Sequence, residues 1–162
     1  MATIEGNVAP GFEALVDSFA ASFAGAPTMG AALSVRIDGE LVANLSGGVA
    51  DERTGSMWTR HTPSVIYSCT KGLMSALIAR LVDEGRLDYD VPVARYWPEF
   101  AANGKAAITV GQALSHRAGL SAPRTDLTLE QALDWDFMIG ELARQEPLWT
   151  PDSGYAYQAI TH

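Results

Sequence analysis

The tetrapeptide Ser68-Cys69-Thr70-Lys71 opens an apolar run, Leu73-Met74-Ser75-Ala76-Leu77-Ile78-Ala79, and sets a serine one helical turn ahead of a lysine. Positions i and i+3 of a helix share a face, so the amine can stand beside the hydroxyl. A serine hydroxyl is a weak nucleophile at neutral pH and needs a base within hydrogen-bond reach. A lysine serves as that base when burial or neighbouring cations lower its pKa. The start of a buried helix adds free N–H groups and positive dipole charge, which suit a developing oxyanion. The chemistry this pattern encodes is attack on a carbonyl carbon. Lysine is scarce here: the chain has two, Lys71 and Lys105, against nine arginines. The competing reading is a solvated lysine in a first turn, where the dipole mildly disfavours cations. The motif alone leaves both open.

Other reactive side chains carry less. His61 has no carboxylate or cysteine at ligand spacing and reads as a loop residue. Cys69 is the single cysteine, which rules out an intrachain disulfide framework and a cysteine-based metal site. Beside Ser68 it reads as a small buried hydrophobe, not a second nucleophile. His162 is terminal and uninformative. The net charge is −8 with no basic run, which argues against nucleic acid or an anionic membrane as partner. With 162 residues, 48% hydrophobic and 19% charged, the chain is long and apolar enough for a globular core. No run approaches a membrane span, and the N-terminus has neither a basic nor an apolar leader region. A cytoplasmic location is the expectation.

The elements that must position Ser68 and Lys71 follow from pattern. Residues 1–10 read as a polar lead. Phe12, Leu15, Val16, Phe19, Ala20 and Phe23 recur at helical spacing, and Gly25-Ala26-Pro27 ends that helix. Two alternating runs, 31–37 and 40–50, flank Asp38-Gly39, a strong hairpin signal. Gly47-Gly48 suggests a bulge or a close backbone approach. Residues 51–64 read as loop. The Ser68 helix runs to about Glu84, with Gly85 as its cap. An extended turn over 86–93, an aromatic loop over 96–100 and a small-residue surface loop over 101–107 come next. Thr109 with Gln112, and Thr128 with Gln131, carry capping-box spacing. The first opens a short helix over 110–115, the second one or two helices over 129–142. The end of the chain, from Pro147, is a Pro/Gly turn leading into an apolar start.

In order, these segments resemble the serine beta-lactamase and penicillin-binding-protein-like group, in particular class C beta-lactamases and family VIII carboxylesterases. The likeness covers most of residues 10–162. It rests on the helix and hairpin, on Ser68-Cys69-Thr70-Lys71-Gly72, and on Glu84-Gly85-Arg86-Leu87-Asp88-Tyr89-Asp90-Val91-Pro92-Val93. Leu114-Ser115-His116-Arg117-Ala118-Gly119-Leu120 and Trp149-Thr150-Pro151 ahead of Tyr157 complete it. The implied fold is α+β and beta-lactamase/transpeptidase-like, with helices packed on an antiparallel sheet. Residues 1–162 would be the N-terminal portion of one such domain.

The resemblance implies roles. Ser68 would be the nucleophile, with Lys71 and Tyr157 as its acid/base pair and Tyr155 as the runner-up tyrosine. His116 would be structural, leading the turn that Gly119 closes. The implied substrate is a small-molecule acyl ester cleaved through an acyl-enzyme, with beta-lactamase or D-amino peptidase activity as the alternative. No cofactor or metal is implied. Two positions depart from the family pattern: Asp152 stands where glycine is usual after the proline, and Ala159 stands where the tyrosine segment usually has asparagine. The second departure resembles esterase-like members more than true lactamases. The later strands of the family sheet, with a Lys-Thr-Gly-like or His-x-Gly-like motif, have no match in residues 1–162. A fragment whose C-terminal half lies elsewhere is the favoured explanation. A second copy completing the core, or a non-catalytic binding module, are the others.

Overall fold

The computed structural model describes residues 2–26 and 29–159. Pro27 and His162 lie outside them. The described chain divides near Val65 into two compact units.

The first unit is built on a hairpin. Strands β2 (Gly30–Ile37) and β3 (Glu40–Asp51) pair antiparallel about Asp38-Gly39, both with positive φ (50° and 84°), as a tight two-residue turn requires. The supposed polar lead is in fact strand β1 (Ile4–Val8), which pairs antiparallel with the other edge of β3 from Ile4 opposite Gly47 to Val8 opposite Ala43. Residues 51–64 likewise hold a two-residue strand, β4 (Ser56–Met57), on the end of β3. Both were invisible to pattern reading because their stability comes from β3's hydrogen bonds and not from their own hydrophobicity. Strand β3 is thus paired on both sides, and Ala43 and Leu45 along it are buried with Phe23.

Of the two readings of Gly47-Gly48, close approach is the one realised. A Cβ on Gly48 would lie 2.0 Å from the Met29 carbonyl oxygen, and φ is +82°. The register shifts fall elsewhere, at Val35/Arg36 and Val49/Asp51. Helix α1 (Ala14–Ala21) begins after Phe12; Leu15, Val16 and Phe19 on it are half-buried, Ala20 is exposed, and Phe19 meets Phe23 edge-on.

The second unit begins with helix α2 (Cys69–Asp83). Its C-terminus closes as expected: Gly85 has φ 67° and its N–H bonds the Val82 carbonyl at 2.9 Å. The expected burial is not found. None of α2's residues is buried, and Leu73, Met74 and Leu77 are exposed. Periodicity chooses which face is apolar; only what packs on that face decides whether it is covered. Two short 3-10 turns, at Val93–Arg95 and Pro98–Ala101, replace the expected loops. They deliver Phe100 to a core with Ile108, Ala118 and Leu120, against which Val93, Trp97 and Ala113 pack.

Helix α3 (Val110–Leu114) opens on the Thr109–Gln112 capping box, both reciprocal hydrogen bonds being present. Thr109→Ala is expected to cost about 1 kcal/mol, read as a lower denaturant midpoint at unchanged m. Thr128 and Gln131 make the same box ahead of α4 (Leu129–Leu133). Asp134 then breaks the path and caps α5 (Trp135–Arg144) through the Phe137 N–H, so the segment is two helices.

The 101–107 loop hides the largest surprise. Lys105 is fully buried, donating from Nζ to the carbonyl oxygens of Ala102 and Gln145. Asn103 donates to the Arg144 carbonyl alongside. Together they close the C-terminus of α5, whose last carbonyls have no helical partner. No helix of the described residues is long and apolar enough to cross a membrane.

Candidate active site

Ser68 occupies the N-cap position of α2, yet its side chain makes no capping bond. A serine there usually accepts from an amide of the first turn. In this chain those amides are already engaged: the N–H groups of Cys69, Thr70 and Lys71 bond the carbonyls of Ile66, Tyr67 and Ser68, each at 3.0 Å. The Ser68 hydroxyl is therefore left to its neighbour one turn on, and Lys71 Nζ donates to Ser68 Oγ at 3.3 Å. The i, i+3 expectation is met in geometry. The helix-start donors are fewer than the sequence suggested. Among the described residues the Ser68 N–H itself has no acceptor, so one backbone donor remains at the nucleophile.

Tyr67, immediately before Ser68, is held at φ 44°, the left-handed region that few non-glycine residues enter. A bulky residue so placed stores backbone strain, and such strain collects at functional positions. The sharp bend sets Ser68 at the head of the helix.

Tyr157 comes to this pair from the far end of the chain. Lys71 Nζ lies over its ring, 5.4 Å from the centroid. Tyr155, the runner-up, instead meets His116, ring centroids 6.1 Å apart and edge-on. Ser68, Lys71 and Tyr157 are thus brought together, and Tyr157 is the tyrosine that does so. His116 lies behind Tyr157, its ring 4.7 Å from the phenol ring. Lys71 is half-buried, and Ser68 and Tyr157 are exposed. Cys69 is exposed as well, contrary to its reading as a buried hydrophobe, because the first turn of α2 carries no cover among the described residues. Elsewhere, His61 accepts a hydrogen bond from its neighbour Arg60 at 2.9 Å. Among the described residues no cluster of three or more His, Cys, Asp or Glu could hold a metal ion.

Sequence reasoning missed the contacts that carry Tyr157. From Gln145 to Ala159 the chain has no helix or strand. It is tied down by the turn after α3. The Leu148 N–H bonds the Gly119 carbonyl (2.7 Å), Asp152 N–H the Arg117 carbonyl (2.8 Å) and Ala156 N–H the His116 carbonyl (3.3 Å). The Arg117 guanidinium pairs with the Asp152 carboxylate at 2.6 Å. In the sequence Asp152 is only a departure from the family pattern, since a pairing across 35 positions leaves no local signal.

The chain is similar to known proteins in sequence and in fold. Residues 15–162 match the family described as Beta-lactamase. The chain is 40% identical over 142 residues to esterase/beta-lactamase LipL of Mycobacterium tuberculosis, covering 88% of this chain and 33% of that protein. A family VIII carboxylesterase structure superposes with a TM-score of 0.83 at 41% identity, over 96% of this chain and 42% of that one. A penicillin-binding protein homologue from Caulobacter crescentus gives a TM-score of 0.80 at 40% identity, over 98% and 43%. The chain therefore spans about a third of the length of LipL and about two-fifths of the matched structures.

Proposed function

The chain belongs to the beta-lactamase family, with its beta-lactamase/transpeptidase-like fold, and on that premise we propose that it supplies the nucleophile and proton-handling groups of a serine esterase. One observation carries the proposal: a single lysine amine touches the Ser68 hydroxyl and stands over the ring of Tyr157. Ser68 Oγ attacks the carbonyl carbon of a small acyl ester. Its proton passes to the Lys71–Tyr157 pair. The carbon–oxygen bond to the alcohol breaks, and the alcohol leaves with that proton. Water then attacks the acyl-enzyme, gives a proton to the same pair, and releases the acid as Ser68 regains its hydrogen. The Ser68 N–H is one donor to the oxyanion.

Esters are favoured over lactams because Ala159 stands where lactamase-like members carry asparagine, and because LipL and the matched carboxylesterase are esterases by name. Lactam cleavage is the second reading, favoured by the other half of LipL's name. The partners proposed are the ester and whatever completes the fold around α2, either further polypeptide or a second copy. The test is intact-mass spectrometry before and after exposure to an alkyl phosphonate ester. A single phosphonyl adduct mapping to Ser68 is the expected result; no adduct, or one elsewhere, sinks the proposal. Turnover of a chromogenic short-chain ester against nitrocefin then separates the two readings.

A further inference from the structure

The phenol ring at the candidate site sits on a stretch of chain with no regular structure, so something other than a helix or strand must hold it. Thr150-Pro151-Asp152-Ser153 is a turn, closed by the Ser153 N–H on the Thr150 carbonyl at 3.1 Å. Proline stands second and Asp152 third, at φ +69°. A positive φ at that position favours glycine. Aspartate tolerates it better than most residues, at some cost. What the carboxylate supplies in return is a grip. Arg117 Nη1 lies 2.6 Å from Asp152 Oδ1, and the Arg117 carbonyl takes the Asp152 N–H at 2.8 Å. Arg117 is itself aimed: its Nε donates to Ser115 Oγ at 2.9 Å, and that hydroxyl donates to the Gly111 carbonyl at 2.6 Å. The line therefore runs from helix α3 through Ser115 and Arg117 to Asp152. Four residues past Asp152, the Ala156 N–H bonds the His116 carbonyl, and the His116 ring backs Tyr157.

We propose that the Arg117–Asp152 pair is a positioning device, fixing the 150–157 segment on α3 so that Tyr157 meets Lys71 and Ser68. The inference rests on the esterase reading of those three residues. Both partners are about half exposed, so the pair contributes little to stability. Its consequence is placement, and displacing a proton-handling group by about 1 Å can cost up to about a hundredfold in rate.

Asp152→Gly separates the two roles. Glycine is at ease at φ +69°, so it removes the carboxylate's contact with Arg117, keeps the backbone N–H on the Arg117 carbonyl, and relieves the backbone. If the pair positions Tyr157, Asp152→Gly in the full chain loses about tenfold or more in kcat at near-constant KM, with the thermal midpoint held or raised. Asp152→Asn keeps a side-chain acceptor for Arg117 and tolerates the same φ, so it recovers most of that loss. Arg117→Gln shows the loss without touching the turn. The rate of phosphonylation at Ser68 is followed in parallel. A parent labelled at Ser68 with Asp152→Gly labelled and turning over equally fast overturns the positioning role alone. A parent not labelled at Ser68 overturns it together with the esterase reading. A loss in Asp152→Gly that Asp152→Asn shares equally also overturns it, since the acceptor would then be irrelevant.

Discussion

Ser68→Ala is expected to abolish labelling by an alkyl phosphonate and to cut ester turnover by about 10⁴-fold or more, the scale on which serine hydrolases lose rate when the nucleophile is deleted. Nothing else in the motif can substitute: Cys69, though exposed, is the next residue along and has no such contact with Lys71 among the described residues. Lys71→Met, which keeps length and removes the amine, is expected to lower kcat by about 10²- to 10⁴-fold, the usual share of acid/base assistance. The order matters. In the proposed chemistry Ser68→Ala removes the site of the covalent intermediate, so the adduct is expected to disappear outright. Lys71→Met leaves the hydroxyl, so the adduct still forms, slowly. Adduct formation in Lys71→Met at the parental rate would show that the 3.3 Å contact is structural and not catalytic.

The second large effect is on stability, at the other lysine. Lys105→Ala is expected to cost about 3 kcal/mol or more. It deletes two charge-assisted hydrogen bonds, each of a kind that contributes about 1.5–3 kcal/mol, and leaves the Gln145 carbonyl short of a donor, while the Ala102 carbonyl keeps the backbone N–H of residue 105 at 3.3 Å. It also empties space beside Phe100, whose ring lies 5.6 Å from the amine. Against this stands the relief of desolvating an ammonium, which keeps the net below the sum. Denaturant unfolding measures it; a midpoint unchanged from the parent would mean that α5 closes without Lys105.

Burial also pushes the Lys105 pKa below the ordinary lysine value, with the Glu146 carboxylate partly opposing. Between the lowered value and the ordinary one, the unfolded chain holds a proton that the folded chain has released. Stability from this group therefore rises with pH across that alkaline window. Lys105→Met has no such proton. The stability difference between parent and Lys105→Met is expected to widen in the parent's favour as pH is raised through the window, and a difference that shrinks there contradicts the assignment.

What the sequence determined by itself is what neighbours in the chain can decide. The i, i+3 spacing put Lys71 against Ser68. Asp38-Gly39 made the hairpin, Gly85 stopped α2, and the Thr109–Gln112 and Thr128–Gln131 boxes started α3 and α4. Each depends on dihedral preference or on a hydrogen bond within four residues, so each is written in the local pattern. The order of these segments also carried the family. Tertiary structure decided the rest. Strand β1 exists because β3 offers it an edge. Lys105, in a stretch of small polar residues, is buried because the end of α5 lies against it, 40 positions away. Tyr157 and not Tyr155 meets Lys71 because the 116–119 turn and the Arg117–Asp152 pair hold their segment in one place. Contacts between residues distant in sequence set these outcomes, and a distant contact leaves no period, cap or turn signal in the residues that make it.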